Sequence, residues 1–145
     1  MAKKNPTKAR KRKSWEESAL ILAETIAKCR SEDPYVQVGA CAVLHDNSIR
    51  LGYNGAPPKI EIDWSDREKR NARIVHAEVN ALRSVDTGQC KFIAVTLLPC
   101  RNCMTFIASK GVKKIIYREI YERDTLAIDL AKEFGIELIH VPKKP

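Results

Sequence analysis

The chain has 145 residues, 44% of them hydrophobic, which suits one domain with its own core and excludes a two-domain reading. No run of about eighteen apolar residues occurs and the N-terminus is basic and polar, so neither a membrane span nor a secretory signal is expected, and the cytoplasm is the expected location. Five cysteines, two of them in a C-x-x-C, suit a metal site better than a disulfide framework, and Cys29, Cys41 and Cys90 are expected to be reduced. The formal net charge of +8 invites a nucleic-acid reading, but Lys3, Lys4, Lys8, Arg10, Lys11, Arg12 and Lys13 supply seven positive charges with no acid among them, which leaves +1 on the rest. Residues 1–13 therefore read as a basic disordered tail and residues 14–145 as the folded domain.

After the tail, Ser14-Trp15-Glu16-Glu17 has the S-x-x-E form of a capping box and predicts a helix start. Trp15, Ala19, Leu22, Ile26 and Cys29 recur at helical spacing, so this stripe is expected to face the core, with Cys29 as packing. Asp33-Pro34 ends the helix, because the residue before a proline is pushed out of helical geometry. Residues 36–44 and 49–53 read as a hairpin around the turn-forming His45-Asp46-Asn47-Ser48, which leaves His45 solvated and Cys41 as a small buried strand residue. In Gly52-Tyr53-Asn54-Gly55-Ala56-Pro57-Pro58 two glycines permit positive φ and two prolines prohibit regular continuation. That loop is either a tight strand exit or a place where the Asn54 amide and exposed backbone meet a ligand. Residues 59–75 are charged and read as a surface loop with some helix.

A short helix begins near His76 and ends by Asp86-Thr87-Gly88. Residues 92–98 form a continuous apolar run suited to a strand buried on both faces. A helix over 100–110 closes on Gly111 in the position where a left-handed residue is wanted. Residues 112–117 predict a strand, Asp124 an N-cap, 125–134 a helix stopped by Gly135, and 136–141 a last strand on whose end His140 is incidental. The sum is an α/β domain with five strands in one sheet and helices on its faces, parallel and right-handed from residue 92 onward.

The chemistry is concentrated in His76-Ala77-Glu78 and Pro99-Cys100-Arg101-Asn102-Cys103. A lone C-x-x-C could be half of a structural zinc site or a redox pair, and a lone H-x-E proves nothing. Together they supply one imidazole, two thiolates and a carboxylate, the make-up of a catalytic zinc site with an open fourth position, and they match the H-x-E and P-C-x-x-C signature of zinc deaminases. Positions two apart on a helix point to nearly opposite sides, so His76 and Glu78 can serve one site only beyond the helix N-terminus. Cys100 and Cys103, three apart, share a face in the first turn of their own helix. A zinc ion balanced by two thiolates acidifies water less than an all-histidine site would, which makes a nearby proton acceptor more useful. Glu78 fills that role as an acid–base group used twice, first taking a proton from the attacking water and then protonating the departing amine.

At these residues the chain resembles the cytidine deaminase superfamily and, within it, the deoxycytidylate deaminases of the short phage and bacterial type. The resemblance is carried by Asp33-Pro34, Gln37-Val38-Gly39-Ala40, Gly52-Tyr53-Asn54-Gly55, His76-Ala77-Glu78 with Asn80-Ala81, Thr96-Leu97 before Pro99-Cys100-Arg101-Asn102-Cys103, and Gly111-Val112-Lys113 leading to Tyr117 and Tyr121. It implies a three-layer α/β/α fold with a five-stranded mixed sheet. It also implies conversion of dCMP to dUMP and ammonia for thymidylate synthesis, one zinc ion on His76, Cys100 and Cys103, and Glu78 as proton shuttle. By the same carry-over Asn54 contacts the sugar, the Ala40 backbone the base and Tyr121 the nucleotide, and the phosphate needs a cation, assigned to Arg30. Members of that family are typically hexamers activated by dCTP and inhibited by dTTP. The effector, with Mg2+ on its triphosphate, is held partly by Gly52, Tyr53, Asn54 and Gly55. Residues 56–75 contain no cysteine or histidine, so a second zinc is not expected, although Arg67, Lys69, Arg70 and Arg73 remain for a triphosphate. The rival readings are a tRNA adenosine deaminase whose basic tail grips phosphate, and a non-catalytic zinc module.

Overall fold

The computed structural model describes residues 7–120 and 125–143. Residues 7–13 are exposed and carry no helix or strand; the rest of the expected tail lies outside the described residues. Helix α1 (Trp15–Arg30) starts at Ser14, whose Oγ accepts a hydrogen bond from the Glu17 backbone N–H at 3.1 Å.

The core face of α1 differs from the expected stripe. Ala19, Leu20, Ala23 and Ala27 are buried, whereas Cys29 is exposed and Trp15 is 43% exposed. The reason is the closeness of the helix to the sheet: a Cβ on Gly39 would lie 1.9 Å from the Ala23 carbonyl oxygen. Only a face of small side chains can approach so near, and the larger apolar residues are rotated to its flank.

The hairpin pairs β1 (Gly39–Leu44) with β2 (Ile49–Tyr53) in antiparallel register from Gly39 opposite Tyr53 to Val43 opposite Ile49. Asn47 takes the left-handed conformation in the turn, with φ 67°. Residues 36–38, expected within the strand, belong instead to the loop that precedes it. Next come α2 (Arg67–Arg73), α3 (Ala77–Leu82), β3 (Cys90–Leu97), α4 (Arg101–Ser109), β4 (Lys114–Glu119), α5 (Leu126–Glu133) and β5 (Glu137–His140). Helix α4 ends before Gly111 with φ 76°, the expected left-handed stop. The expected cap Asp124 lies outside the described residues, and Thr125 occupies the position before α5.

The sheet order is β2-β1-β3-β4-β5. Strand β1 is antiparallel to β2 and β3, while β3, β4 and β5 run parallel, so the sheet is mixed. Alternate side chains separate two layers of core. Cys41, Val43, Phe92, Ala94 and Ile116 pack under α1, and Ala40, Ala42, Ile93, Val95 and Ile115 pack beneath the layer of α3, α4 and α5. This is the three-layer α/β/α arrangement.

Arg118 locks the α1 layer to the chain end. It is 7% exposed; Nε and Nη2 reach Glu24 at 3.2 and 3.0 Å, Nη2 also reaches Glu17, and Nη1 donates to the carbonyls of Val141 and Pro142. His140 Nε2 bonds the Arg118 carbonyl at 2.7 Å and its ring stacks on Tyr117, so His140 is structural.

Burial raises the Cys41 thiol to about 11, and burial with the neighbouring Cys41 raises Cys90 to about 12. Both thiols are therefore protonated and enclosed at pH 8. Iodoacetamide at that pH is expected to modify Cys29 in the native protein and to spare Cys41 and Cys90 until denaturant is added, as read by mass spectrometry. Labelling of all three at similar rates would contradict the packing described.

Candidate metal centre and substrate cleft

His76 and Cys100 each stand at the N-cap of a helix in extended conformation, His76 at α3 and Cys100 at α4. Neither side chain caps its own helix, so both project beyond the helix ends. Cys103 lies in the first turn of α4. The expectation that the site lies off the helix N-termini, because His76 and Glu78 cannot share a lateral face, agrees with this placement.

His76 Nδ1 is 3.3 Å from Cys103 Sγ and 3.7 Å from Cys100 Sγ, and all three ligand atoms lie within 4.8 Å of one another. Tetrahedral zinc with its usual bond lengths needs nitrogen and sulfur about 3.6 Å apart. The trio therefore fits a zinc ion, and among the described residues no other group of three His, Cys, Asp or Glu side chains converges in this way. A separate carboxylate cluster for Mg2+ is thus absent among them.

The electrostatics of the trio favour one thiolate, at Cys100. Cys100 is held well below the ordinary thiol range, first by the hydrogen bond from Cys103 and then by that from His76, while Cys103 as donor is pushed up. His76 is raised, chiefly by its bond to Cys100. Glu78 sits beneath this cluster at 4% exposure. Burial pushes its carboxyl up to about 7, against the lowering effects of its backbone hydrogen bond and of His76.

Above these groups opens a cleft of about 280 Å³. Its polar floor is His76, Glu78 and Cys100, and its walls come from Val36 and Val38 of the loop before β1, from Asn54, from Asn71 and Ile74 at α2, and from Leu97 at the end of β3. Helix α2 falls in the segment that the sequence marks only as a charged surface loop with some helix, without placing that helix. Its one usable signal is Asp66, which caps it by accepting from the Lys69 N–H at 3.0 Å; with no apolar stripe its periodicity is silent.

The remaining site expectations fall in different places. Asn54 is 4% exposed on the cleft wall. Its Oδ1 accepts from Ser31 Oγ at 2.6 Å and from the Val38 N–H at 2.8 Å, and its Nδ2 donates to the Val36 carbonyl at 2.9 Å and towards Asp33 at 3.5 Å. The amide is thus committed to pinning the 31–38 loop. Removing it in Asn54→Ala leaves the partly buried backbone groups of Val36 and Val38 unpaired and is expected to destabilise the fold by about 1 kcal/mol. Thermal denaturation measures this, and an unchanged Tm would contradict it.

Ala40 is wholly buried in β1, and Arg30 ends α1 with its guanidinium 5.9 Å from the Tyr53 ring centroid; neither lines the cleft. Tyr121 lies outside the described residues. In the expected effector loop, Gly55 and Val75 exchange backbone hydrogen bonds at 3.1 and 2.8 Å, and the Tyr53 carbonyl accepts from Asn80 Nδ2. Gly52 lies under α3, where a Cβ would stand 2.2 Å from the Ala77 carbonyl oxygen. Positive φ is not what these glycines supply, since the described glycines with positive φ are Gly88, Gly111 and Gly135. Close approach is what Gly52 supplies.

Comparison with known proteins agrees with this geometry. Residues 13–119 match the family model described as the cytidine and deoxycytidylate deaminase zinc-binding region. The deoxycytidylate deaminase of Pongo abelii is 36% identical over 115 residues, covering 71% of this chain and 64% of that protein, so the chain spans less than two thirds of that relative's length. The crystal structure of the dCMP deaminase from the cyanophage S-TIM5, in complex with dCMP and dUMP, is 32% identical, covers 86% of this chain and 95% of that one, and superposes with a TM-score of 0.73. A tRNA:A34 deaminase structure covers 86% of this chain and 95% of its own at 18% identity and a TM-score of 0.53, a likeness of fold alone.

Proposed function

The chain belongs to the family of cytidine and deoxycytidylate deaminases, and on that premise we propose that it hydrolyses dCMP to dUMP and ammonia. The observation that carries this reading is the convergence of three zinc-ligand atoms, two of them from residues that line the floor of one cleft beside the buried carboxyl of Glu78. The likeness to an enzyme crystallised with dCMP and dUMP supports the choice of nucleotide.

A zinc ion on His76 Nδ1, Cys100 Sγ and Cys103 Sγ supplies acidification of a water molecule at neutral pH. Glu78 carries the protons. Its carboxylate takes one from the attacking water and delivers it to the ring nitrogen beside the carbon that receives the oxygen. It then moves the second water proton from that oxygen to the exocyclic nitrogen, which leaves as ammonia while the ring nitrogen keeps its hydrogen. Burial lifts the Glu78 carboxyl towards neutrality, the direction that suits a group taking and giving a proton at neutral pH. Val36, Val38, Ile74 and Leu97 make the walls apolar, which excludes competing water and strengthens the electrostatics within.

In the same reading the product feeds thymidylate synthesis, and the enzyme works as a hexamer that dCTP activates and dTTP inhibits, with Mg2+ carried by the effector's phosphates. The resemblance described above supports these points, and with them Tyr121 at the nucleotide. Gly52, Tyr53, Asn54 and Gly55 form part of the effector site. Residues 14–145 are the catalytic domain and residues 1–13 a leader without a part in turnover.

Assaying dCMP, dCTP, cytidine and tRNA side by side tests the substrate. The expected result is ammonia from dCMP far above the others. Deamination of tRNA with dCMP untouched would overturn it. Deleting residues 1–13 is expected to leave dCMP turnover within about twofold, because charge at a chain end is usually solvated; loss of mononucleotide activity with the tail would contradict that.

A further inference from the structure

The cleft has no cation of its own. None of its lining residues is Lys or Arg among the described residues, yet the proposed substrate carries a 5′-phosphate with about −1.5 to −2 charge at neutral pH. The geometry of the mouth supplies one. Val36 on the 31–38 loop and Asn71 on α2 both line the cleft, and their sequence neighbours Tyr35 and Arg70 meet, with the Arg70 guanidinium carbon 4.3 Å from the Tyr35 ring centroid.

This pair is built rather than incidental. Tyr35 is 61% exposed, an aromatic ring held out of the core, and its backbone N–H is fixed by Asp33 Oδ1 at 2.7 Å. Arg70 Nη1 donates to the Trp64 carbonyl at 3.3 Å, which anchors one arm of the guanidinium, and its other N–H groups have no hydrogen-bond partner among the described residues. The mutual backbone bonds of Gly55 and Val75 tether the segment that follows α2. Two other cations of the region are used differently: Arg73 turns back to the Lys69 carbonyl of its own helix, and Arg30 lies over Tyr53.

We propose that Arg70, stacked on Tyr35 at the cleft mouth, is the specificity-determining residue that receives the 5′-phosphate of the nucleotide. The assignment rests on the nucleotide-monophosphate reading given above. A guanidinium held against an aromatic ring keeps the two-pronged donor fork that phosphate prefers, at little entropic cost. Because the phosphate lies away from the reacting carbon, its contact acts on binding rather than on the chemical step.

The test uses Arg70→Ala, Arg70→Lys and, for comparison, Arg30→Ala in the full chain. Arg70→Ala is expected to raise KM for dCMP about 10- to 100-fold while kcat changes less than about threefold. Competitive inhibition by dUMP should weaken by the same factor, and inhibition by deoxyuridine, which has no phosphate, should not follow. Arg70→Lys keeps the charge without the fork and should fall between. An unchanged dUMP-to-deoxyuridine preference in Arg70→Ala, equal losses for both ligands, or collapse of the preference in Arg30→Ala alone would overturn the assignment while leaving dCMP as substrate. Failure of the unaltered protein to turn over dCMP would overturn the substrate reading and the assignment with it.

Discussion

Replacing Glu78 by Gln is expected to lower kcat on dCMP by about 10²- to 10⁴-fold while zinc remains bound at one ion per chain. Glutamine fills the same buried space beside Cys103 but cannot take a proton, so the substitution removes the shuttle without emptying the site. Glu78 is not one of the three converging ligand atoms, which is why metal content and turnover should separate. The change also removes a carboxylate whose burial is unfavourable, since burial is the main cause that lifts its pKa to about 7. Thermal stability should therefore hold or rise. Full activity in Glu78→Gln would remove the residue from the mechanism, and loss of zinc together with activity would make it a structural support.

Gly52→Ala is expected to destabilise the fold by about 3 kcal/mol and to impair zinc binding along with it. The added Cβ would stand 2.2 Å from the Ala77 carbonyl oxygen and 2.4 Å from the Ala81 backbone nitrogen. Both are backbone atoms of α3, so no side chain can swing away and the helix itself must shift. That helix carries Glu78 and is entered from His76, so the shift reaches the metal site directly. Gly55→Ala is the control: its Cβ would meet Glu32 Oε1 at 2.9 Å, the end of a flexible side chain that can move. The expected outcome is a Tm several degrees lower for Gly52→Ala than for Gly55→Ala. Equal Tm values would show that β2 and α3 are less tightly packed than described.

What the sequence made legible was the part governed by local rules. Ser14, Asn47 and Gly111 act through their own backbone neighbourhoods, and the start of α1, the hairpin turn and the end of α4 lie where the pattern put them. The metal trio was legible because ligand chemistry restricts residue types so strongly, and the end-on approach followed from helical geometry alone.

The misplaced features depend on distance between elements. The core face of α1 turned on how near the helix lies to Gly39, which no periodicity records. Gly52 reads as a flexible loop residue until α3 is found across it. Asn54 looks like an exposed ligand group, but its amide is used on a loop sixteen to twenty-three residues away in sequence. Helix α2 has no buried residue, so it gave no hydrophobic signal, yet it forms a wall of the cleft.

On the proposed reading, His76, Cys100 and Cys103 hold one zinc ion that Glu78 uses to deaminate dCMP. Its most direct test is to strip the protein with a chelator and follow ammonia release from dCMP as zinc is added back. Turnover should be absent in the stripped protein, rise linearly with zinc and stop rising at one ion per chain. Turnover of dCMP by metal-free protein, or none at full zinc occupancy, would contradict it.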